Sequence, residues 1–103
     1  TDSLAHGVGS PGRRTGLVRS AFRPSDDATQ LPFLVPANAM AAVELHRTAG
    51  LLQSAPRAAD ETDGRSRLAD ELDALAKEIE EAIRAEAVVV HRRTGAEVFA
   101  YEV

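Results

Sequence analysis

The chain has 103 residues, of which 44% are hydrophobic and 27% charged, and these values indicate one small globular domain rather than a disordered segment. Its formal net charge of -4 at pH 7 gives no electrostatic basis for binding nucleic acid, and no apolar run approaches the ~20 residues that a membrane helix needs. The absence of cysteine excludes disulfides and thiolate metal sites and permits a reducing compartment.

The first twenty residues are rich in glycine, serine and arginine and are predicted to form a loop. The run 7–12, Gly-Val-Gly-Ser-Pro-Gly, superficially resembles a phosphate loop, but it lacks the Gly-Lys-Ser/Thr ending and follows no predicted strand. A loop that needs positive φ at several positions is therefore the favoured interpretation. Residues 17–22 are predicted to be extended.

The segment 22–28, Phe-Arg-Pro-Ser-Asp-Asp-Ala, places one arginine and two adjacent carboxylates on a stretch that is not ordinary helix interior. Pro24 fixes its own φ and pushes Arg23 toward an extended backbone. A charged cluster on an irregular segment, next to the apolar run 31–35, indicates a site for chemistry. The alternative is that Ser25 or Asp26 caps a following helix, where the helix dipole favours carboxylates.

A helix is predicted over 36–53, with Pro36 at its start, where the missing N–H does no harm. It is apolar over most of its circumference, which is typical of a helix covered by neighbours on several sides and indicates that the chain is part of something larger. Asn38 is expected to cap this helix or to bind a ligand, with capping favoured. His46 is interpreted as a solvent-facing or packed histidine rather than a catalyst.

A second helix is predicted over 57–86, although Pro56 and Gly64 leave its first residues either loop or a kinked helical turn. The apolar side chains that recur at helical spacing are Leu68, Leu72, Leu75, Ile79, Ala82 and Ile83. The carboxylates on the other side are interpreted as a solvated face, with Glu80 and Arg84 forming an i,i+4 pair worth ~0.3 kcal/mol.

A β-hairpin is predicted over 87–103. Residues 87–91 are β-branched, 92–95 form a turn that ends in glycine, and 96–103 alternate as a return strand. A lone hairpin is barely stable by itself. Because the strand pattern continues to the last residue, we expect this chain to be a truncated part of a longer protein.

Several runs of the sequence, at 1–4, 6–9, 16–28, 34–40 and 98–103, match one known family residue by residue. In these runs the chain resembles glycoside hydrolase family 125, the exo-α-1,6-mannosidases. The motif Phe-Arg-Pro-Ser-Asp-Asp-Ala, followed by the Pro-Ala-Asn turn, is long and specific, whereas the helix at 66–86 matches in pattern only.

The resemblance implies a mainly α fold, as a fragment of an (α/α)6 barrel that contains a helix pair and a C-terminal β-hairpin. Six helix hairpins form two concentric rings in such a barrel. Residues 1–35 would be an active-site loop segment, 36–53 an inner helix and 57–86 an outer helix. The hairpin at 87–103 would lie at the barrel rim.

The resemblance also implies inverting hydrolysis of terminal α-1,6-linked mannose from an α-mannoside or mannose-containing glycan, without a metal or other cofactor. Asp26 matches the general acid, and we expect repulsion from Asp27 to raise its pKa. Arg23 and Asp27 would hold sugar hydroxyls. The general base is expected to be a glutamate outside this chain, ~6.5–9.5 Å from the acid, and neither Glu97 nor Glu102 is assigned to it.

Two alternatives stay open at the level of the sequence. The chain would be a small helical interaction module without chemistry if its charged motif served only as a helix cap. It would instead belong to another (α/α)6 glycosidase if its substrates were glucosides. A self-contained core with cooperative unfolding would favour the interaction module.

Overall fold

The computed structural model describes residues 12–55 and 64–103, and the predictions for residues 1–11, including the phosphate-loop comparison, and for 56–63 lie outside them. Two α-helices, α1 over Val35–Ser54 and α2 over Gly64–Glu86, precede two short strands, β1 over Val88–Val90 and β2 over Glu97–Phe99. The sequence therefore predicted the order and type of the elements correctly.

Helix α1 begins at Val35, and its N-cap residue is Leu34 in an extended conformation. Pro36 occupies the first turn, as predicted, because a proline there loses no helical hydrogen bond. No side chain caps this end of the helix. The prediction that Ser25 or Asp26 caps a following helix is therefore wrong, since the nearest helix starts nine positions after Asp26.

Helix α2 packs against α1 along a line of small and branched residues. Ala69, Ala76, Ile79 and Ile83 are buried, at the spacing of one helical face. The prediction that Leu68 and Leu75 lie on the buried face of α2 is wrong, because these side chains are 46% and 43% exposed. The neighbouring Ala69 and Ala76 are buried where Leu68 and Leu75 are not.

The central core forms where both helices meet the loop before α1 and the end of the chain. Its buried side chains come from the loop before α1, from both helices and from the residue after α2: Leu17, Phe33, Val35, Ile79, Ala82, Ile83 and Ala87. Ala42, Leu45 and Val103 pack against this cluster. Burial of these side chains stabilises the contact between the helix pair and the segments that carry the candidate site.

A second face of α1 is not covered by the described part of the chain. Met40, Val43 and Leu51 are all exposed there. This agrees with the predicted apolar circumference, and the assignment of α1 to an inner ring stays a prediction. Neither helix in the described ranges is long and apolar enough to cross a membrane.

The predicted hairpin is present, although its strands are short. Strands β1 and β2 are antiparallel, with Val88 opposite Phe99 and Val90 opposite Glu97. Between them the His91 amide donates to the Ala96 carbonyl at 2.8 Å. The hairpin therefore closes as an ordinary antiparallel pair.

The last three residues leave β2 and pair with the entrance of α1. Glu102 forms an antiparallel bridge with Leu34. The Phe33 and Val103 amides each donate to the other's carbonyl at 2.9 Å. The predicted continuous return strand is thus divided, because its last residues change partner from β1 to residues 33–35.

Candidate active site

The motif 22–28 forms the tip of a tight hairpin, which we call the motif hairpin and which spans residues 20–32. Phe22 and Ala28 form an antiparallel bridge, and the Arg23 amide donates to the Asp27 carbonyl at 2.7 Å. Two more backbone bonds extend the stem, from Ser20 N to Pro32 O at 2.9 Å and from Thr29 N to Ala21 O at 3.1 Å. The charged motif is therefore held on a defined scaffold.

The tip is a three-residue loop of Pro24, Ser25 and Asp26. The Asp26 amide donates to the Arg23 carbonyl at 2.9 Å, which closes a β-turn with Pro24 and Ser25 at its central positions. Asp26 follows with a φ of 70°. A β-turn followed by a left-handed residue is a common way to close a three-residue hairpin, and that last position favours glycine or asparagine.

The two adjacent carboxyl groups at the tip have different surroundings. Ser25 Oγ donates to Asp27 Oδ2 at 2.8 Å. Within the described part of the chain, the Asp26 carboxyl group accepts no hydrogen bond and is exposed. Asp26 is thus the carboxyl group that is available to an incoming molecule, on a backbone conformation that costs ~1 kcal/mol for a residue other than glycine.

Arg23, in the stem of the motif hairpin, is paired with Glu102 at the end of the chain. Arg23 Nε donates to Glu102 Oε1 at 2.5 Å, and its guanidinium lies 5.7 Å from the centroid of the Tyr101 ring. Glu102 Oε2 accepts from the amides of Gln30 at 2.9 Å and Leu31 at 3.1 Å. One carboxylate therefore joins both arms of the hairpin to the C-terminal segment.

The electrostatics of this pair follow from its contacts. The hydrogen bond from Arg23 lowers the pKa of Glu102 below its ordinary value, against the opposing effect of burial, and the Leu31 and Gln30 amides lower it further. The same hydrogen bond raises the pKa of Arg23. Both groups are therefore charged over a wide pH range, and the Glu102 side chain is only 6% exposed.

Glu102 is the residue of this site that the sequence analysis left unassigned. Its carboxylate is separated from Arg23 by 79 positions along the chain. A usable signal was present, because an arginine beside the apolar run 31–35 needs a counter-charge and Glu102 lies in a run that matches the family. The predicted roles of Arg23 and Asp27 as sugar ligands are not tested by these contacts and stay predictions.

Asn38 connects α1 to the segment that leads into the motif hairpin. Its Oδ1 accepts from the Val18 amide at 2.8 Å, while its Nδ2 donates to the carbonyls of Val18 at 3.0 Å and Leu34 at 2.9 Å. The residue is 2% exposed. The favoured prediction that Asn38 caps α1 is wrong. Its side-chain amide instead bonds both the N–H and the carbonyl of residue 18, the pattern that a neighbouring strand would make.

The other titratable residues considered in the sequence form ordinary surface contacts. His46 Nδ1 lies 2.7 Å from Asp73 Oδ1, with both side chains exposed. The predicted pair of Arg84 and Glu80 is present at 3.1 Å. Within residues 12–55 and 64–103, no group of three or more His, Asp or Glu side chains is arranged to hold a metal ion.

The motif hairpin does not line the cavity between the two helices. That cavity, of about 860 Å³, lies between α1 and α2 and is bordered by Val43, Asp73 and Phe99 among others. It is an open groove between two helices, and none of residues 20–32 contributes to it. Asp26 also does not line a second cavity, which lies between residues 12–19 and α2.

Comparison with solved structures defines the class of protein. The fold matches a metal-independent alpha mannosidase from Streptococcus pneumoniae, in a non-productive substrate complex with alpha-1,6-mannobiose, with a TM-score of 0.82 and 29% sequence identity. The match covers 99% of this chain and 22% of that chain. The helix pair and hairpin are thus part of an (α/α)6-barrel glycoside hydrolase fold, and the predicted fold class is confirmed.

The family model described as metal-independent alpha-mannosidase (GH125) matches residues 1–103. The chain belongs to glycoside hydrolase family 125, as the sequence resemblance indicated. The Meiotically up-regulated gene 157 protein of Schizosaccharomyces pombe is 38% identical over 109 aligned residues, which cover 100% of this chain and 20% of the relative. The chain therefore spans about a fifth of the length of these relatives.

Proposed function

We propose that this chain is part of a metal-independent, inverting glycoside hydrolase that removes terminal α-1,6-linked mannose, with Asp26 as the general acid. Membership of family 125 supports the reaction class, and the structural relative in complex with alpha-1,6-mannobiose supports the linkage. The observation that carries the assignment is the exposed carboxyl group of Asp26 on a left-handed turn position at the tip of a braced hairpin.

A general acid must deliver its proton to the glycosidic oxygen as the bond to the leaving group breaks. Such a carboxyl group has to be rigidly placed without being consumed by hydrogen bonds to its own protein. The backbone of Asp26 is held by the turn and its carboxyl group is left without a bond within the described residues, whereas the Asp27 carboxylate accepts from Ser25. Backbone strain at Asp26 is also typical of functional positions.

The second carboxyl group of an inverting enzyme activates water from the opposite face of the sugar, ~6.5–9.5 Å from the acid. We propose that it comes from a glutamate outside this chain. Both oxygens of Glu102 are engaged by Arg23 and two backbone amides, so Glu102 is unsuited to activate water. The 103-residue chain alone is accordingly expected to be inactive, and turnover of α-1,6-mannobiose by it would contradict this part of the proposal.

Arg23 and Asp27 are proposed to hold sugar hydroxyls beside the acid. Both lie in the motif hairpin next to Asp26, and the Arg23 side chain keeps 28% of its surface exposed although its Nε is committed to Glu102. Bonds to substrate hydroxyls from such neighbours would orient the sugar before proton transfer. Their loss should therefore raise KM as well as lower kcat.

The test uses a full-length protein that contains this segment. Asp26→Asn keeps the size of the side chain and tolerates a positive φ, while it removes the proton donor. We expect kcat on α-1,6-mannobiose to fall by ~10²–10⁴. Hydrolysis of 2,4-dinitrophenyl α-mannoside should fall far less, because its leaving group needs no protonation.

Asp27→Asn is the matched control, since it removes the neighbouring carboxylate without touching the proposed acid. It should change KM more than kcat and should affect both substrates alike. Equal retention of activity by Asp26→Asn on both substrates would remove Asp26 from the role of acid. Preference for α-glucosides over α-mannosides in the unmodified protein would favour a different (α/α)6 glycosidase.

A further inference from the structure

The carboxylate of Glu102 joins three points that are otherwise far apart along the chain. It binds Arg23 in the first arm of the motif hairpin and the amides of Gln30 and Leu31 in the second arm. We propose that Glu102 is a positioning residue, which holds the hairpin so that Asp26 points toward the glycosidic oxygen. This inference rests on the proposed role of Asp26.

Glu102 is itself fixed from both sides. Residues 101–103 pair with residues 33–35 through the mutual 2.9 Å bonds of Phe33 and Val103 and through the bond from Val35 N to Tyr101 O at 2.8 Å. The same residues 33–35 lead directly into α1. The position of the Glu102 carboxylate is therefore set by the helix pair and not by the hairpin that it holds.

The link from Glu102 to Asp26 passes through Arg23. The Arg23 carbonyl accepts the Asp26 amide at 2.9 Å, and the Arg23 amide donates to the Asp27 carbonyl at 2.7 Å, so the backbone of Arg23 closes the loop on both sides. Its side chain is held at the other end by Glu102. A displacement of Arg23 would therefore move the acid directly.

Glu102 also gives the Arg23 guanidinium a partner outside the motif hairpin. Arg23 carries a permanent positive charge, and the carboxylates nearest to it along the hairpin are Asp26 and Asp27. With Glu102 in place, the guanidinium has a buried partner and also lies over the Tyr101 ring. Without Glu102, the Arg23 guanidinium would lose this partner and be released toward the carboxylates of the motif hairpin, of which Asp27 already acts on its charge.

Glu102→Gln tests this inference in a full-length protein that contains the segment. The new amide oxygen still accepts from the Gln30 and Leu31 amides, but its NH2 group faces Arg23 Nε, so two donors meet. We expect kcat on α-1,6-mannobiose to fall about 10–100-fold, since a misplacement of ~1 Å costs that much. Activity on 2,4-dinitrophenyl α-mannoside should fall by less than about threefold, because that substrate does not depend on the acid.

Glu97→Gln is the matched control, because Glu97 is an exposed glutamate on β2. It should leave both activities unchanged. If Glu102 merely stabilised the fold, its substitution would lower the amount of active enzyme and both substrates would lose activity equally. Equal losses on the two substrates would therefore overturn the inference.

A double-mutant cycle with Arg23→Gln covers the case in which Glu102→Gln does not fold. Arg23→Gln alone should lower kcat more on α-1,6-mannobiose than on 2,4-dinitrophenyl α-mannoside, in addition to the rise in KM on both substrates that its proposed sugar contact predicts. In the cycle, the double variant should lose no more activity than the worse single variant. If the double variant instead shows the product of the two single fold-losses, Glu102 does not act through Arg23 and the inference is overturned. Asp26→Asn separates the two proposals. If Asp26→Asn does not lose more activity on α-1,6-mannobiose than on 2,4-dinitrophenyl α-mannoside, the assignment of the acid fails. If Asp26→Asn shows this selective loss but Glu102→Gln does not, only the positioning role fails.

Discussion

Replacement of Asn38 by aspartate should loosen the connection between α1 and the motif hairpin more than replacement by alanine. Asp keeps the oxygen that accepts from the Val18 amide at 2.8 Å. Its second oxygen, however, would face the carbonyls of Val18 and Leu34, to which Asn38 Nδ2 now donates at 3.0 Å and 2.9 Å. Three acceptors would then meet in a site that is 2% exposed.

The size of the effect follows from the hydrogen bonds that are lost. The Leu34 carbonyl keeps its bond from the Asn38 amide at 3.2 Å, so the Val18 carbonyl is the group left without a donor. An unsatisfied buried group costs about 1–3 kcal/mol, and a carboxylate without a partner costs more. We therefore expect about 3–5 kcal/mol for Asn38→Asp and about 1–3 kcal/mol for Asn38→Ala.

Amide hydrogen exchange in a full-length protein that contains the segment measures this prediction locally. Protection of residues 17–20 should fall by at least about 30-fold in Asn38→Asp, the equivalent of 2 kcal/mol, while the middle of α2 stays protected. Gln53→Glu, an exposed amide-to-acid change on the same helix, should leave protection unchanged. Equal protection in Asn38→Asp and the unmodified protein, or a larger loss in Asn38→Ala, would refute the reasoning.

Three further predictions concern stability. Ile79→Ala should cost ~2–5 kcal/mol in denaturant unfolding, because Ile79 is 1% exposed, whereas Leu75→Ala, at a half-exposed position on the same helix, should cost less than ~1 kcal/mol. Asp26→Gly should leave Tm unchanged or raise it, because glycine removes the cost of the positive φ, while Asp27→Gly should lower it; a lower Tm in Asp26→Gly contradicts this. Arg23 lowers the pKa of Glu102 in the folded protein. The stability that this carboxylate contributes is therefore fully present above pH ~4.3 and is lost as the pH falls through the lower folded pKa. The Tm of Glu102→Gln should consequently fall less on acidification than that of the unmodified protein, and parallel curves of Tm against pH would refute this.

The sequence predicted the helices and the hairpin because their signals are local. Hydrophobic spacing identified α2, and Pro36 identified the start of α1. Spacing did not identify which residues of α2 meet α1, since leucines and alanines both fit a helical stripe. Leu68 and Leu75 are exposed whereas the neighbouring Ala69 and Ala76 are buried, and which of these residues is covered depends on tertiary packing.

The candidate site was found only in part for a related reason. The segment 22–28 was recognised from its residue types and its match to the family. The pairings that hold it, Arg23 with Glu102 and Asn38 with Val18, span 79 and 20 positions along the chain. No local pattern encodes such contacts. Asn38, which the sequence assigned to a helix cap, was therefore found to brace the backbone of residue 18 instead, and the bond from Arg23 to Glu102 was not predicted.

The arrangement separates the placement of the acid from the pocket around it. Within the described residues, the backbone of Asp26 is held by the turn closed by Arg23, by the carboxylate of Glu102 through Arg23, and by the bridge of Glu102 to Leu34 at the start of α1. The apolar face of α1 with Met40 is exposed, as expected if other helices of the proposed barrel cover it. If Asp26 is the acid, as proposed, its backbone is held by contacts within the described residues, while the proposed base and the walls of a sugar pocket would come from other parts of the barrel.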